Sequence, residues 1–212
     1  MKIIDCEQRS PEWFAARLGR LTASRAADML SQGKGSAEAA GRRNLRVQLV
    51  LERLTGVSQD SGYQNEAMRV GIEREPDALL WYEAVTGHLV RRTGFVQHDE
   101  LMAGASLDGH VGDDGIVEVK CPLAATHLDT IESRTIPGDY QKQIGHQLWI
   151  TGAAWCDYAS FHPAFPEPLR LVILRLTPSQ SSLVAYDQAA RAFLAEVDAK
   201  VAALTARLAE VA

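Results

Sequence analysis

The spacing of apolar and polar positions divides the chain into a mainly helical stretch up to residue 87, a mainly strand-like stretch to residue 177, and a helical tail from residue 178. Ser10-Pro11-Glu12 predicts a helix start, because Ser caps free amides, Pro at the first helical position loses no hydrogen bond, and Glu suits the positive end of the helix dipole. That helix covers 11–18 and ends at Gly19; Thr22 and Ser24 open a second, running to about Leu30. SQGKGS, residues 31–36, reads as a flexible Gly/Ser loop carrying one cation, Lys34. Leu45, Leu49, Leu51 and Leu54 predict a helix over 42–54 that Thr55-Gly56 stops. A longer helical segment spans 66–85 before Thr86-Gly87, and Pro76 inside it predicts a kink or break near Glu75.

After Gly87 the pattern shortens to β-type runs over 88–97, 102–106 and 116–121. In Ile116-Val117-Glu118-Val119-Lys120 the alternation puts Glu118 and Lys120 on one face and Val117 and Val119 on the other. A helix over about 140–151, strands at 155–161 and 169–176, and an Ala/Leu/Val-rich terminal helix complete the order. The expectation is an α/β fold in which helices flank a mixed central β-sheet. With no internal repeat and no dividing linker, residues 1–212 read as one domain: a helical part to 87, a sheet core over 88–177, and a C-terminal helix.

Composition narrows the possibilities. Of 212 residues 46% are hydrophobic and 23% charged, the balance of an ordinary globular chain. The longest apolar runs, such as Ala78 to Tyr82, fall far short of the roughly 18 residues that span a bilayer. The N-terminus turns polar before any signal-like run develops, so cytoplasmic residence is the expectation. Cys6, Cys121 and Cys156 are far apart and form no CxxC pair, which argues for reduced thiols in or near the core and against a zinc or iron-sulfur set. The net charge of −5 hides a segregation, since residues 1–53 hold 10 Lys/Arg against 6 Asp/Glu and residues 54–119 hold 4 against 12. That arrangement suits an enzyme that grips a polyanion with one part and collects cations with another. The simpler alternative is that Arg42, Arg43, Arg46 and Arg53 solvate one helix face.

The densest chemistry lies in Ser106-Leu107-Asp108-Gly109 and Ile116-Val117-Glu118-Val119-Lys120-Cys121-Pro122. An Asp after one strand and Glu-x-Lys on the next place two carboxylates and an ammonium around a common point. Carboxylates hold Mg²⁺ or Mn²⁺, the metal polarises a phosphodiester and activates water, and a Lys orients that water or offsets developing charge. Taken alone, Glu-x-Lys is more often a salt bridge on an exposed strand. His110 and His146 lack a helical His partner at i+4 and do not read as ligands, and Gln147 reads as a helix amide.

In order along the chain, Trp13, Arg17-Leu18-Gly19, Thr22-Ala23-Ser24, Gly71-Ile72-Glu73-Arg74-Glu75, the SLDG turn, EVKCP and Gln143-Ile144-Gly145-His146-Gln147 together resemble the PD-(D/E)xK nucleases. More narrowly, the chain is similar to the YqaJ-type viral recombinases, the group of phage lambda exonuclease, from about residue 8 to 177. Leu107 stands where the motif name has Pro, a residue that shapes the turn and coordinates nothing; beyond about residue 178 the tail matches only as a helix. The resemblance implies that Asp108, Glu118 and Glu75 are metal ligands, Lys120 the catalytic lysine, and Gln143 a support for the lysine or nucleophile. It also implies that Arg17, Ser24 and Ser106 bind a terminal 5′ phosphate, with Lys34 contacting DNA near the mouth of the site and Trp13 facing the DNA end. The implied activity is an Mg²⁺-dependent 5′-to-3′ exonuclease of duplex DNA, Mn²⁺ substituting, encoded by a phage or prophage and working with a single-strand annealing protein in recombination. A homotrimeric ring is implied too, its channel lined by the basic 1–53 segment. The alternatives are another nuclease of this fold, endonucleolytic or single-strand specific, and a DNA-binding module that retains the fold without catalysis.

Overall fold

The computed structural model describes residues 1–35, 37–59 and 65–211; Ser36, the last residue of the expected Gly/Ser loop, and Ala212, the end of the expected terminal helix, lie outside the described residues. Strand β1 (Lys2–Ile4), which the pattern does not announce, precedes helix α1 (Pro11–Arg17). Helix α1 begins as expected, with Ser10 Oγ accepting from the Trp13 N–H at 3.2 Å. The second expected helix is largely replaced: Leu21–Thr22 is strand β2, Ala23–Arg25 a single 3-10 turn, and only Ala26–Met29 is α-helical, as α2. Leu21 and Thr22 are buried and pair with Ala103 and Gly104, so sheet pairing overrides the local capping signal.

Helices α3 (Ala40–Thr55) and α4 (Glu66–Thr86) both close on a left-handed glycine, Gly56 and Gly87. Of the expected kink or break near Glu75, the break does not occur: helix α4 runs on through Pro76. The ring removes one rung of the ladder, while Ala78, Leu79 and Tyr82 beyond it are buried and hold the second half in place.

The 88–97 segment is not one strand. It divides into β3 (Val90–Arg91) and β4 (Phe95–Gln97), which enter different sheets. Between them Gly94 passes so close to β1 that a Cβ would lie 2.2 Å from the Ile4 carbonyl oxygen. Next come β5 (Ala103–Ser106), β6 (Gly109–Val111) and β7 (Gly115–Lys120), then helices α5 (Ala124–Ser133) and α6 (Gly138–Thr151). Strands β8 (Trp155–Phe161) and β9 (Leu171–Leu176) and helix α7 (Gln180–Val211) complete the order, β6 and α5 being additions to the expected elements. Two mixed sheets therefore stand where one was expected: β1-β4-β5-β2 and β3-β6-β7-β8-β9.

Alternation in β7 holds. Val117 and Val119 join Ala78, Leu79 and Tyr82 of α4 in one apolar cluster, and Ile116 joins Ile144 and Leu148 of α6 and Phe193 of α7 in the other. Glu118 shares the Ile116 side and so faces α6. Helix α7 is tied to α3 by charge: Glu196 accepts from Arg42 and Arg46 at 2.7 to 3.0 Å, and Asp198 pairs with Arg53. Among the described residues no helix is long and apolar enough to cross a membrane.

Candidate active site

The β6–β7 hairpin pairs Gly109 with Val117, and one further step of that register sets Asp108 opposite Glu118. Asp108 Oδ2 accepts from the Val119 N–H at 2.7 Å, which fixes the carboxylate at the mouth of the hairpin. Glu118 is only 1% exposed, and three donors surround it. Gln143 Nε2 donates to Oε1 at 2.6 Å, Gln147 Nε2 donates to Oε2 at 2.6 Å, and the Lys120 ammonium sits on Oε1. Gln143 and Gln147 are one turn apart on the same face of α6. Gln147, set aside in the sequence as a helix amide, is fully buried and also reaches the Ser106 carbonyl at 3.3 Å. The i, i+4 spacing from Gln143 was the one signal that pointed to it.

Burial, together with the charges of Glu118 and Glu75, pushes the Asp108 carboxyl well above its ordinary range, against the opposing pull of Lys120. Burial alone would lower the Lys120 ammonium, yet Glu118 and Asp108 hold it above its usual value. Glu75, from α4, lines the same cleft of about 630 Å³, with the Arg92 guanidinium 3.8 Å from its Oε1. Among the described residues no group of three or more His, Cys, Asp or Glu side chains is gathered closely enough to hold a metal ion by itself. The donors present still suit a hard divalent cation, because Mg²⁺ characteristically takes one or two carboxylates and completes its shell with water and substrate phosphate oxygens.

The other end of the cleft is built on Ser106. Its Oγ accepts from Trp13 Nε1 at 2.8 Å and from an Arg17 guanidinium nitrogen at 3.1 Å. With both lone pairs engaged, the hydroxyl hydrogen is directed elsewhere and remains a donor. The Arg17 guanidinium lies 4.0 Å from the Trp13 ring centroid, a stacking that holds the planar fork in place. Ser24 lines the same cleft. Lys34 does not: it lies on an exposed loop outside the lining. The arginines of the basic 1–53 segment are divided. Arg42, Arg46 and Arg53 are engaged with α7 carboxylates, whereas Arg9 and Arg17 face the cleft. His146 is a core residue, its Nε2–H donating to the Gly104 carbonyl at 3.0 Å and its Nδ1 accepting from the Tyr186 hydroxyl at 2.7 Å.

Comparison with known proteins agrees with the fold. No curated protein sequence matches the chain. Two solved structures of an alkaline exonuclease from Laribacter hongkongensis, one of them in complex with dAMP, superpose with a TM-score of 0.88 at 37% identity, over 96% of this chain and 100% of theirs. A phage-related exonuclease from Haemophilus somnus 129PT superposes with a TM-score of 0.71 over 87% of this chain and 96% of its own, and at 12% identity it bears on the fold alone. Residues 12–154 match the model of the YqaJ-like viral recombinase domain, and the chain belongs to that family.

Proposed function

We propose that this protein is a divalent-metal-dependent exonuclease that digests duplex DNA from a 5′ end and releases 5′-mononucleotides. The observation that carries the reading is a single cleft in which Asp108, Glu118 and Lys120 stand beside a Ser106 hydroxyl held by Arg17 and Trp13. The family, and the alkaline exonuclease solved with dAMP, support the same substrate class.

Asp108 and Glu118, with Glu75, would hold Mg²⁺ or Mn²⁺, which when bound would polarise the scissile phosphodiester and supply a more acidic water. Lys120 offsets the charge that develops on the phosphate oxygens. Gln143 and Gln147 hold the two oxygens of Glu118, so that the carboxylate keeps its orientation through each turnover. Arg17, Ser24 and the Ser106 O–H take the terminal 5′ phosphate. A terminal monoester carries more charge than an internal diester, so a guanidinium beside two hydroxyls gains most from the end group. The first scissile bond then lies at the carboxylates, and the pocket draws the strand forward after each cut. The reading includes a homotrimeric ring and a single-strand annealing partner, and molar mass in solution tests the ring.

A 5′-labelled linear duplex and a closed circle, each with Mg²⁺ and then with EDTA, test the activity. Digestion of the linear form alone, and only with metal, is expected; cutting of the circle, or intact linear duplex under all conditions, overturns it. The end pocket has its own test. Wild type should prefer a 5′-phosphorylated end over a 5′-hydroxyl end, and Arg17→Ala should weaken that preference and shorten processive runs while leaving the metal requirement unchanged.

A further inference from the structure

A second cleft of about 480 Å³ adjoins the first, and the two share Arg17, Ser24 and Met68 as a common wall. Its polar lining includes Arg20, Arg25, Gln48, Gln59 and one carboxylate, Glu52. Glu52 is already engaged by three donors: the Gly19 N–H at 2.8 Å, Gln48 Nε2 at 3.0 Å and the Gln59 N–H at 3.1 Å. Arg25 has Asp28 at 3.3 Å. Arg20 differs from both. It is half-buried, and among the described residues its guanidinium has neither a hydrogen bond nor an ion pair. Burial, and the neighbouring charge of Arg53, pull it below the ordinary guanidinium value. A half-buried cation with no counter-charge is unfavourable, and a planar fork in that state is matched by a phosphate.

We propose that this second cleft is a product site, in which Arg20 takes the phosphate of each released 5′-mononucleotide from Arg17 and clears the catalytic cleft for the next nucleotide. This rests on the exonuclease reading above. The volume lies within the range of small-molecule sites, so a whole nucleotide has room. A strand still attached to the duplex is a poorer occupant. Once its terminal phosphate is held at Arg17, a blunt or recessed 5′ end has no further nucleotide to place on the other side of that wall. The released product is free to move there, and its dianionic monoester gains most from an unpaired guanidinium.

The test is calorimetric titration of dAMP in EDTA into wild type, Arg20→Ala and Arg20→Lys, together with digestion of linear duplexes with blunt or 5′-overhanging ends. Wild type should bind two equivalents per chain, Arg20→Ala one, and Arg20→Lys should recover the second. Release of the first nucleotide should be unchanged in Arg20→Ala while sustained digestion slows about tenfold, the scale of one charge-assisted contact. A single equivalent in wild type, or two in Arg20→Ala with normal sustained digestion, overturns the product site and leaves the exonuclease reading standing. Unchanged dAMP binding in Arg20→Ala, with slowing confined to 5′-overhanging ends, assigns the cleft to the strand and also overturns it. A wild type that digests no linear duplex overturns the exonuclease reading itself.

Discussion

Glu118 combines near-complete burial with three donors on its two oxygens, and most of the chemistry proposed for this chain turns on that side chain. Replacement of Lys120, Glu118 or Asp108 by Ala should reduce turnover by orders of magnitude while leaving folding and duplex binding largely intact, because these groups act on charge that appears in the transition state. Near-normal digestion by Lys120→Ala would remove that residue from the mechanism. Gln147→Leu tests the support around Glu118. It removes one donor and leaves the carboxylate present, so the metal concentration for half-maximal activity should rise roughly 10- to 100-fold, the usual range for such partners. An unchanged metal requirement would make Gln147 a packing residue. Asp108, Glu118 and Lys120 stand out in the sequence only through the order of the family's motifs, since Glu-x-Lys taken alone is more often a salt bridge. Gln147 does not, because an amide on a helix gains meaning only from what the fold sets against it.

Helices and strands were legible to different depths, for a physical reason. Ser10-Pro11, Gly56 and Gly87 mark helix ends by local chemistry, and the ends fall there. Leu21–Thr22 and β6 are short strands whose existence depends on partners far away in sequence, which no local signal reports. Helices α3 and α6 are each tied to α7, the first by charge and the second by a buried hydrogen bond. Glu196→Ala would strip two arginines of a shared carboxylate, and since that carboxylate is 41% exposed the loss should be roughly 1 kcal/mol, about 2–4 °C in the unfolding midpoint. At about 1 M salt, where screening reaches within a few ångströms, the difference should nearly vanish. His146 couples α6 to α7 through Tyr186, and burial lowers its pKa from 6.5 to about 3. Its neutral form is the one that folds, so the stability it contributes is fully present above about pH 6.5 and is lost as pH falls toward 3. His146→Phe should be less stable at pH 7 and should lose less between pH 6 and pH 4 than wild type does. Parallel pH profiles would show that this histidine has no part in the acid sensitivity.

At the scale of the whole molecule, the α/β class was readable from the order of periodicities, but the division into two sheets was not. A chain that leaves one sheet and enters another within a few residues looks in sequence like a continuous β segment, as 88–97 does; only Gly94, lying against β1, marks the crossing. The overall charge was likewise a poor guide, because Arg42, Arg46 and Arg53 of α3 are paired with α7 carboxylates while Arg17 of α1 and Arg20 just after it face the clefts. One such crossing has a mechanical consequence. Ser106 ends β5 in the smaller sheet, Gly109 begins β6 in the larger, and Asp108 lies on the short link between them. The hydroxyl that would grip the end of a strand and the carboxylate that would mark where it is cut are thus separated by one residue, Leu107, on a two-residue link anchored at both ends by sheet pairing. Such a link behaves as a gauge block: its length is set by covalent geometry and does not drift with loop motion. The increment by which DNA advances would then be inherited from the backbone itself, the same at the first cut and at the thousandth.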